Sequence, residues 1–153
     1  MRPIHTLIIH CSATRADHDF TEQQLEAAHK ARGFTECGYH YYIRRSGLII
    51  TMRDVGKIGA HCLGHNQDSI GICYEGGLDS DGIPTDTRTF QQKYALRSLI
   101  RCLQSDFPGC HIYGHRELSP DLNGNGIIDR EEYIKSCPCY SVASEFYPPH
   151  LGR

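Results

Sequence analysis

No stretch of about 18 or more consecutive apolar residues occurs anywhere in the 153-residue chain, which excludes a membrane-spanning helix. Net charge is equally scarce. Sixteen Lys and Arg stand against 18 Asp and Glu, a formal charge of -2, so no global field draws the chain to a phosphate backbone or an anionic membrane. Nucleic acid is thereby disfavoured as a partner. The basic residues are dispersed except for Arg44, Arg45, Arg53 and Lys57, which read as the solvated face of a hairpin. The opening segment also lacks the apolar core of about 7 to 15 residues and the small-residue cleavage site of a secretory signal. Ile4, His5, Thr6, Leu7, Ile8, Ile9 and His10 read instead as a first strand, and the expectation is synthesis in the cytoplasm without a signal peptide. Repeats, low-complexity segments and shifts of composition are missing too. Residues 1–153 are therefore expected to form one domain that buries roughly 70% of its unfolded-state surface.

Cysteine and histidine are abundant, at eight and ten residues. Eight cysteines in a short exported chain would suggest a disulfide framework; without an export signal the thiols are expected to stay reduced, as core or ligand residues.

The local signals alternate between strand and helix. Ile4 to His10 is apolar on both sides of the pleat near its end, as in a strand covered on both faces. Thr21 and Gln24 form a capping box, flanked by Phe20 and Leu25 as a hydrophobic staple, which predicts a helix from about Glu22 to Arg32 that stops at Gly33. His40 to Arg45 and Leu48 to Arg53 are β-rich and joined by Ser46 and Gly47, a two-residue hairpin connection, with Tyr39 at its mouth. Ser69 to Glu75 is another apolar strand. Thr89 and Gln92 form a second capping box before Leu96, Leu99, Ile100, Leu103 and Phe107, which predicts a helix to about Asp106. His111 to Gly114 is a short last strand. This order predicts an α/β domain, a central mixed sheet flanked by helices.

Two histidines close strands: His10 the first and His115 the last. At strand ends in an α/β sheet they are either metal ligands or hydrogen-bonded histidines of the sheet edge. The segment Lys135, Ser136, Cys137, Pro138, Cys139 offers a thiolate. Two imidazoles and one thiolate leave the fourth position of a zinc ion open for water, the catalytic arrangement. A structural zinc site built on Cys137 and Cys139 lacks a second Cys pair or a His-x3-His partner. Glu117 follows His115 by two residues without a His-Glu-x-x-His pattern, which disfavours it as a general base. His65, His111 and His150 read as surface histidines.

Five motifs taken in order resemble the type 2 N-acetylmuramoyl-L-alanine amidases, the phage lysozyme group related to peptidoglycan recognition proteins. They are His10-Cys11-Ser12-Ala13-Thr14, Gly38-Tyr39-His40, Asn66 with Ser69-Ile70-Gly71, Gly114-His115-Arg116-Glu117, and Lys135 with Cys137-Pro138. The resemblance runs from about Ile4 to Val142. It implies the amidase/peptidoglycan recognition protein fold, zinc on His10, His115 and Cys137, and Tyr39 and Lys135 as catalytic side chains. It further implies His61 beside the substrate, and hydrolysis of the amide between N-acetylmuramic acid and L-alanine in bacterial peptidoglycan. The implied setting is that of an endolysin of phage or prophage type, a monomer acting on the cell wall after release or export. The alternative within the resemblance is a non-catalytic module that binds the muropeptide; such receptors typically lack the third ligand.

The sequence departs from this pattern twice. Cys139 fills the small residue that usually follows Cys-Pro, and the Lys-x-Cys spacing favours Cys137 as the ligand. A long insertion, residues 118–134, replaces a short link between His115 and Lys135. Its core matches a twelve-position EF-hand-type calcium loop: Asp121, Asn123, Asn125 and Asp129 at positions one, three, five and nine, Gly126 at six, the Ile127 carbonyl at seven, Ile128 facing inward at eight and Glu132 at twelve. Pro120 forbids a long entering helix, so only a following helix is expected, one that carries Lys135 and Cys137.

Overall fold

The computed structural model describes residues 1–147; His150 lies outside them. The strands are β1 (Thr6–Cys11), β2 (Thr14–Arg15), β3 (Tyr41–Ile43), β4 (Ile49–Thr51), β5 (Ser69–Tyr74), β6 (Gly77–Leu78) and β7 (His111–Gly114). The helices are α1 (Glu22–Ala31), α2 (Phe90–Asp106) and α3 (Val142–Phe146). Five strands form one mixed sheet in the order β4-β3-β5-β1-β7, antiparallel only between β3 and β4; β2 and β6 pair separately. The α/β sandwich expected from the sequence is the observed architecture.

Both capping boxes form as the sequence predicts. The Thr21 hydroxyl accepts from the Gln24 amide and the Thr89 hydroxyl from the Gln92 amide, while each glutamine accepts from its cap residue's amide. These pairs satisfy donors that a helix start otherwise leaves unpaired. Phe20 packs in the cluster that holds Leu25, as the staple requires.

The interior strand β1, between β5 and β7, is covered on both faces. Leu7, Ile9 and Cys11 point into the main core with Ile70, Ile72 and Tyr74 of β5 and with Leu96, Leu99, Ile100 and Leu103 of α2. Burying side chains of this size contributes about 1.5–3 kcal/mol each. The period of two turns His10 to the opposite face. There Leu25 of α1, Cys37, Tyr42 and Cys73 form a second cluster against which Tyr39 packs. One strand thus feeds the core with alternate residues and the site with the residue between them.

Three expectations need correction. Five residues, 44–48, join β3 to β4, and three of them lie inside the pair that closes the hairpin: the Arg44 amide donates to Leu48 O, the Gly47 amide to Arg44 O, and Gly47 lies at φ +90°. A tight turn closed by the Arg44–Gly47 bond and followed by a left-handed glycine is the pattern of a three-residue hairpin loop, one residue longer than the two-residue connection expected. Of the basic cluster only Lys57 is exposed to solvent; the three arginines are committed to the fold. Arg44 Nε donates to Glu75 Oε1 at 2.7 Å, Arg53 reaches Cys37 O and Glu36, and Arg45 reaches Thr87 O. Finally, residues 130–132 make a single 3₁₀ turn where a following helix was expected. Tyr133 turns extended with its ring under the Arg116 guanidinium, and the Ile134 amide donates to Ser119 Oγ, so the chain is drawn back to the loop's beginning. Lys135 and Cys137 are presented by an irregular segment.

Candidate metal centre

His10 lies at the C-terminal end of β1, His115 opens the 3₁₀ turn directly after β7, and Cys137 comes from the segment after the insertion. Because β1 and β7 are adjacent and parallel, their ends bring the two histidines together, with ring centroids 4.6 Å apart. Cys137 joins them. Its Sγ is 3.8 Å from His10 Nδ1 and accepts from the Cys11 amide at 3.2 Å. All three donor atoms lie within 4.8 Å of one another, and among the described residues no other set of three His, Cys or carboxylate side chains does so.

The set fits zinc. Bonds of about 2.0–2.1 Å to nitrogen and about 2.3 Å to sulfur in a tetrahedron separate N from S by about 3.6 Å. Burial, reinforced by the charges of neighbouring imidazoles and Lys135, holds His10 well below its ordinary pKa, so the ring stays neutral as a ligand must be.

His61 lines the cleft and also stands against His10. Its Nδ1 is 3.0 Å from His10 Nε2 and its Nε2 is 3.3 Å from Ser69 Oγ. With Nδ1 of His10 turned to Cys137, a neutral His10 carries its proton on Nε2 and donates to His61 Nδ1; His61 then donates to Ser69. Burial pushes His61 down to about 3, which keeps it in this neutral, relaying form. The Asn66, Ser69, Gly71 motif exists to seat this ring. Asn66 Oδ1 accepts from the amides of His61 and Cys62, and a Cβ on Gly71 would meet the His61 ring at 2.6 Å.

Two further histidines, unassigned by the sequence, brace the wall of the site. His29 Nδ1 accepts from the Gly38 amide, and its ring lies 5.3 Å from that of Tyr39. His40 Nδ1 accepts from the Gly71 amide while its Nε2 donates to Lys57 O. His40 stood in the Gly38-Tyr39-His40 motif without a role of its own, and His29 had no signal beyond the count of histidines. Glu117 is a structural carboxylate: Oε2 accepts from the Gly114 amide and Oε1 from the Ala143 amide at the start of α3, so both oxygens are committed to backbone. His65 and His111 are exposed, as expected.

His115 and Cys137 line a cleft of about 830 Å³ between α1 and the segment around Ile134, with His10 buried beside them. Tyr39 and Lys135 both line it. The Tyr39 ring is 4.9 Å from that of His10, and burial raises its phenol well above the usual value, so it stays protonated. Lys135 is exposed and its ammonium makes no hydrogen bond or ion pair with the described residues. The cleft thus holds a proton-bearing phenol and an unpaired ammonium beside the His10, His115 and Cys137 donors.

The insertion is closed by Glu132, which is 7% exposed. Its Oε1 accepts from the Leu122 and Asn123 amides and its Oε2 from the Asp129 amide. Asp121 accepts from the Gly124 and Gly126 amides. The loop is therefore wound by its own polar groups, and its three carboxylates do not converge as His10, His115 and Cys137 do.

A family model described as N-acetylmuramoyl-L-alanine amidase matches residues 1–139. The chain is 37% identical over 136 residues to an endolysin of Klebsiella phage KP32, covering 89% of this chain and 81% of the relative. Among solved structures it is similar to the N-acetylmuramoyl-L-alanine amidase LysC from Clostridium intestinale URNW, at 25% identity and TM-score 0.71 over 94% of this chain and 82% of that one. Drosophila PGRP-LB shares the fold, with TM-score 0.73 at 23% identity over 97% of this chain and 84% of that one. No helix among the described residues is long and apolar enough to cross a membrane.

Proposed function

The chain belongs to the N-acetylmuramoyl-L-alanine amidase family, and from that premise we propose that it is a zinc-dependent enzyme that cleaves peptidoglycan between the lactyl carbonyl of N-acetylmuramic acid and L-alanine. The observation that carries this reading is the convergence of His10, His115 and Cys137 within 4.8 Å beside a cleft lined by Tyr39 and Lys135. Three protein ligands with a position to spare suit catalysis rather than structure. The presence of Cys137 favours an enzyme over a binding module.

Amide hydrolysis needs an activated water, a counter-charge for the oxyanion and a proton for the leaving amine. Zinc, when bound, supplies a water whose pKa falls to about 7 and a positive charge near the carbonyl. Lys135, exposed at the cleft with an unpaired ammonium, supplies the counter-charge to the carbonyl oxygen as that oxygen gains charge. Tyr39 holds a proton at neutral pH and donates or relays it to the alanine nitrogen as that bond breaks. His61 keeps His10 in one tautomer and one orientation throughout.

The same reading treats residues 1–153 as one amidase domain that works as a monomer on the cell wall after release or export, in an endolysin or prophage setting. It assigns calcium to the loop from Asp121 to Glu132, on the strength of the twelve-position pattern: side chains of Asp121, Asn123, Asn125, Asp129 and Glu132 with the Ile127 carbonyl. The deciding experiment is digestion of purified peptidoglycan with and without a zinc chelator, with mass spectrometry of the products. Release of intact stem peptides with a free L-alanine amine, lost on chelation and restored by zinc, is the expected result. Binding to peptidoglycan without release would make the chain a recognition module.

A further inference from the structure

We propose that Cys11 and Cys139 form a disulfide once the protein meets an oxidising environment, locking the Cys137 segment onto β1 behind the metal centre. The inference rests on the proposed function only for the assignment of Cys137 to zinc. Cys11 Sγ and Cys139 Sγ lie 3.8 Å apart, so bonding at about 2.05 Å needs an approach of about 1.8 Å. The two residues are 128 positions apart in the chain, and nothing local brings them together.

The surroundings are built for two sulfurs. Cys11 faces away from His10, into the main core, and Cys139 packs against that same core. Between them passes Gly77 at φ +101°, where a Cβ would meet Cys11 Sγ at 2.6 Å and lie 3.6 Å from Cys139 Sγ. Any side chain there would occupy the space the sulfurs share. The segment itself is already anchored: the Arg116 amide donates to Cys137 O, the Tyr74 hydroxyl to Pro138 O and the Cys139 amide to Ser136 O. Cys139 takes a left-handed backbone, φ +68°, that a residue with a side chain rarely adopts, and in it points its thiol at Cys11.

The position relative to the zinc donors matters. His10 and Cys11 are successive residues on opposite faces of β1, and Cys137 and Cys139 flank Pro138. A bond between Cys11 and Cys139 therefore ties together the two segments that supply His10 and Cys137 while consuming neither ligand. A metal-bound Cys137 thiolate is withdrawn from exchange, which leaves Cys139 to react with Cys11.

The chemistry is thiol–disulfide exchange with a low-molecular-weight disulfide such as glutathione disulfide. Cys139 is half-buried and Cys11 is 3% exposed, so Cys139 reacts first. Its sulfur attacks the incoming disulfide, forms a mixed disulfide and releases one thiol. Cys11 sulfur then displaces the second thiol, forming the Cys11–Cys139 bond. Two S–H bonds are lost from the protein and both protons and both electrons end on the two released thiols. In a reducing cytosol the equilibrium favours the dithiol, and outside it the disulfide.

The test uses the full-length zinc-loaded protein, equilibrated with an excess of glutathione disulfide or of dithiothreitol. It is then quenched with iodoacetamide and mapped by mass spectrometry. The expected result is a Cys11–Cys139 cross-linked peptide in the oxidised sample alone, unchanged zinc content, and a melting midpoint raised by about 5–10 °C. Cys139→Ser and Cys139→Ala should keep zinc and lose both the cross-link and the rise. Recovery of alkylated Cys11 and Cys139 from the oxidised sample, or a Cys11–Cys137 cross-link, would overturn the proposal. The map is independent of peptidoglycan cleavage. An inactive protein that forms the bond counts only against the amidase reading, and an active one that never forms it counts only against this inference.

Discussion

His61 Nδ1 lies 3.0 Å from His10 Nε2, on the side of the imidazole away from Cys137, so the proposed zinc ligand is held by a second histidine that itself leans on Ser69. Outer partners of this kind fix the ligand's tautomer and orientation. His61→Ala is expected to weaken zinc binding by about 10- to 100-fold with the fold retained. Competition with a chromophoric chelator measures this directly; an unchanged affinity would return His61 to the role of a cleft-lining residue.

Cys137→Ser should abolish zinc loading and activity on peptidoglycan, whereas Cys139→Ser should remain metal-loaded and active. The reason is geometric: Cys137 Sγ faces His10 Nδ1, and Cys139 Sγ faces Cys11. Metal analysis of the two purified variants decides the matter, and zinc retained in Cys137→Ser but lost in Cys139→Ser would reverse the ligand assignment.

Tyr39→Phe and Lys135→Ala should each keep near-stoichiometric zinc and lose about 10²-fold or more in turnover, as expected for groups directed at a transition state rather than at the metal. Turbidity clearance of cell walls alongside metal content provides the comparison. Wild-type rates in both variants would remove these side chains from the mechanism.

Calcium should bind the Asp121–Glu132 loop weakly, at about 10⁻⁵ to 10⁻³ M, since the site has few charged ligands and no paired loop beside it. The loop's own hydrogen bonds already satisfy Asp121 and Glu132, so the ion competes with backbone amides for the same oxygens. Titration calorimetry with calcium alone, on wild type and Asp121→Ala, is the check; no heat up to millimolar calcium would reduce the insertion to a structured turn.

Glu75→Gln should destabilise the domain by about 3–5 kcal/mol, because it removes one member of a buried ion pair. Glu75 is 1% exposed and accepts from Arg44 Nε, the Arg45 amide and the Phe20 amide, tying the hairpin to the entrance of α1. Denaturant midpoints measure the loss, and a change below about 1 kcal/mol would show that the amide serves as well as the carboxylate.

The sequence by itself determined the elements and the chemistry of the ligands. Capping boxes at Thr21 and Thr89, the alternation of β1 and the helical spacing of Leu96, Leu99, Ile100 and Leu103 all act within a turn or a pleat, and each is realised where it was read. His10, His115, Cys137, Tyr39 and Lys135 were recognisable from ordered motifs, and the structure sets the first three within 4.8 Å of one another beside a cleft lined by Tyr39 and Lys135. Tertiary structure alone decided what no window of residues contains. That β1 lies between β5 and β7 sets His10 against His115 on one side and brings Ser69 and Gly71 beneath His61 on the other. That the segment after the insertion folds back without a helix places Cys137 against His10 and Cys139 against Cys11, 127 and 128 residues away. Such contacts depend on strand order and register, which are properties of the whole packed sheet; a residue's own neighbours in sequence fix only which face of its strand it occupies.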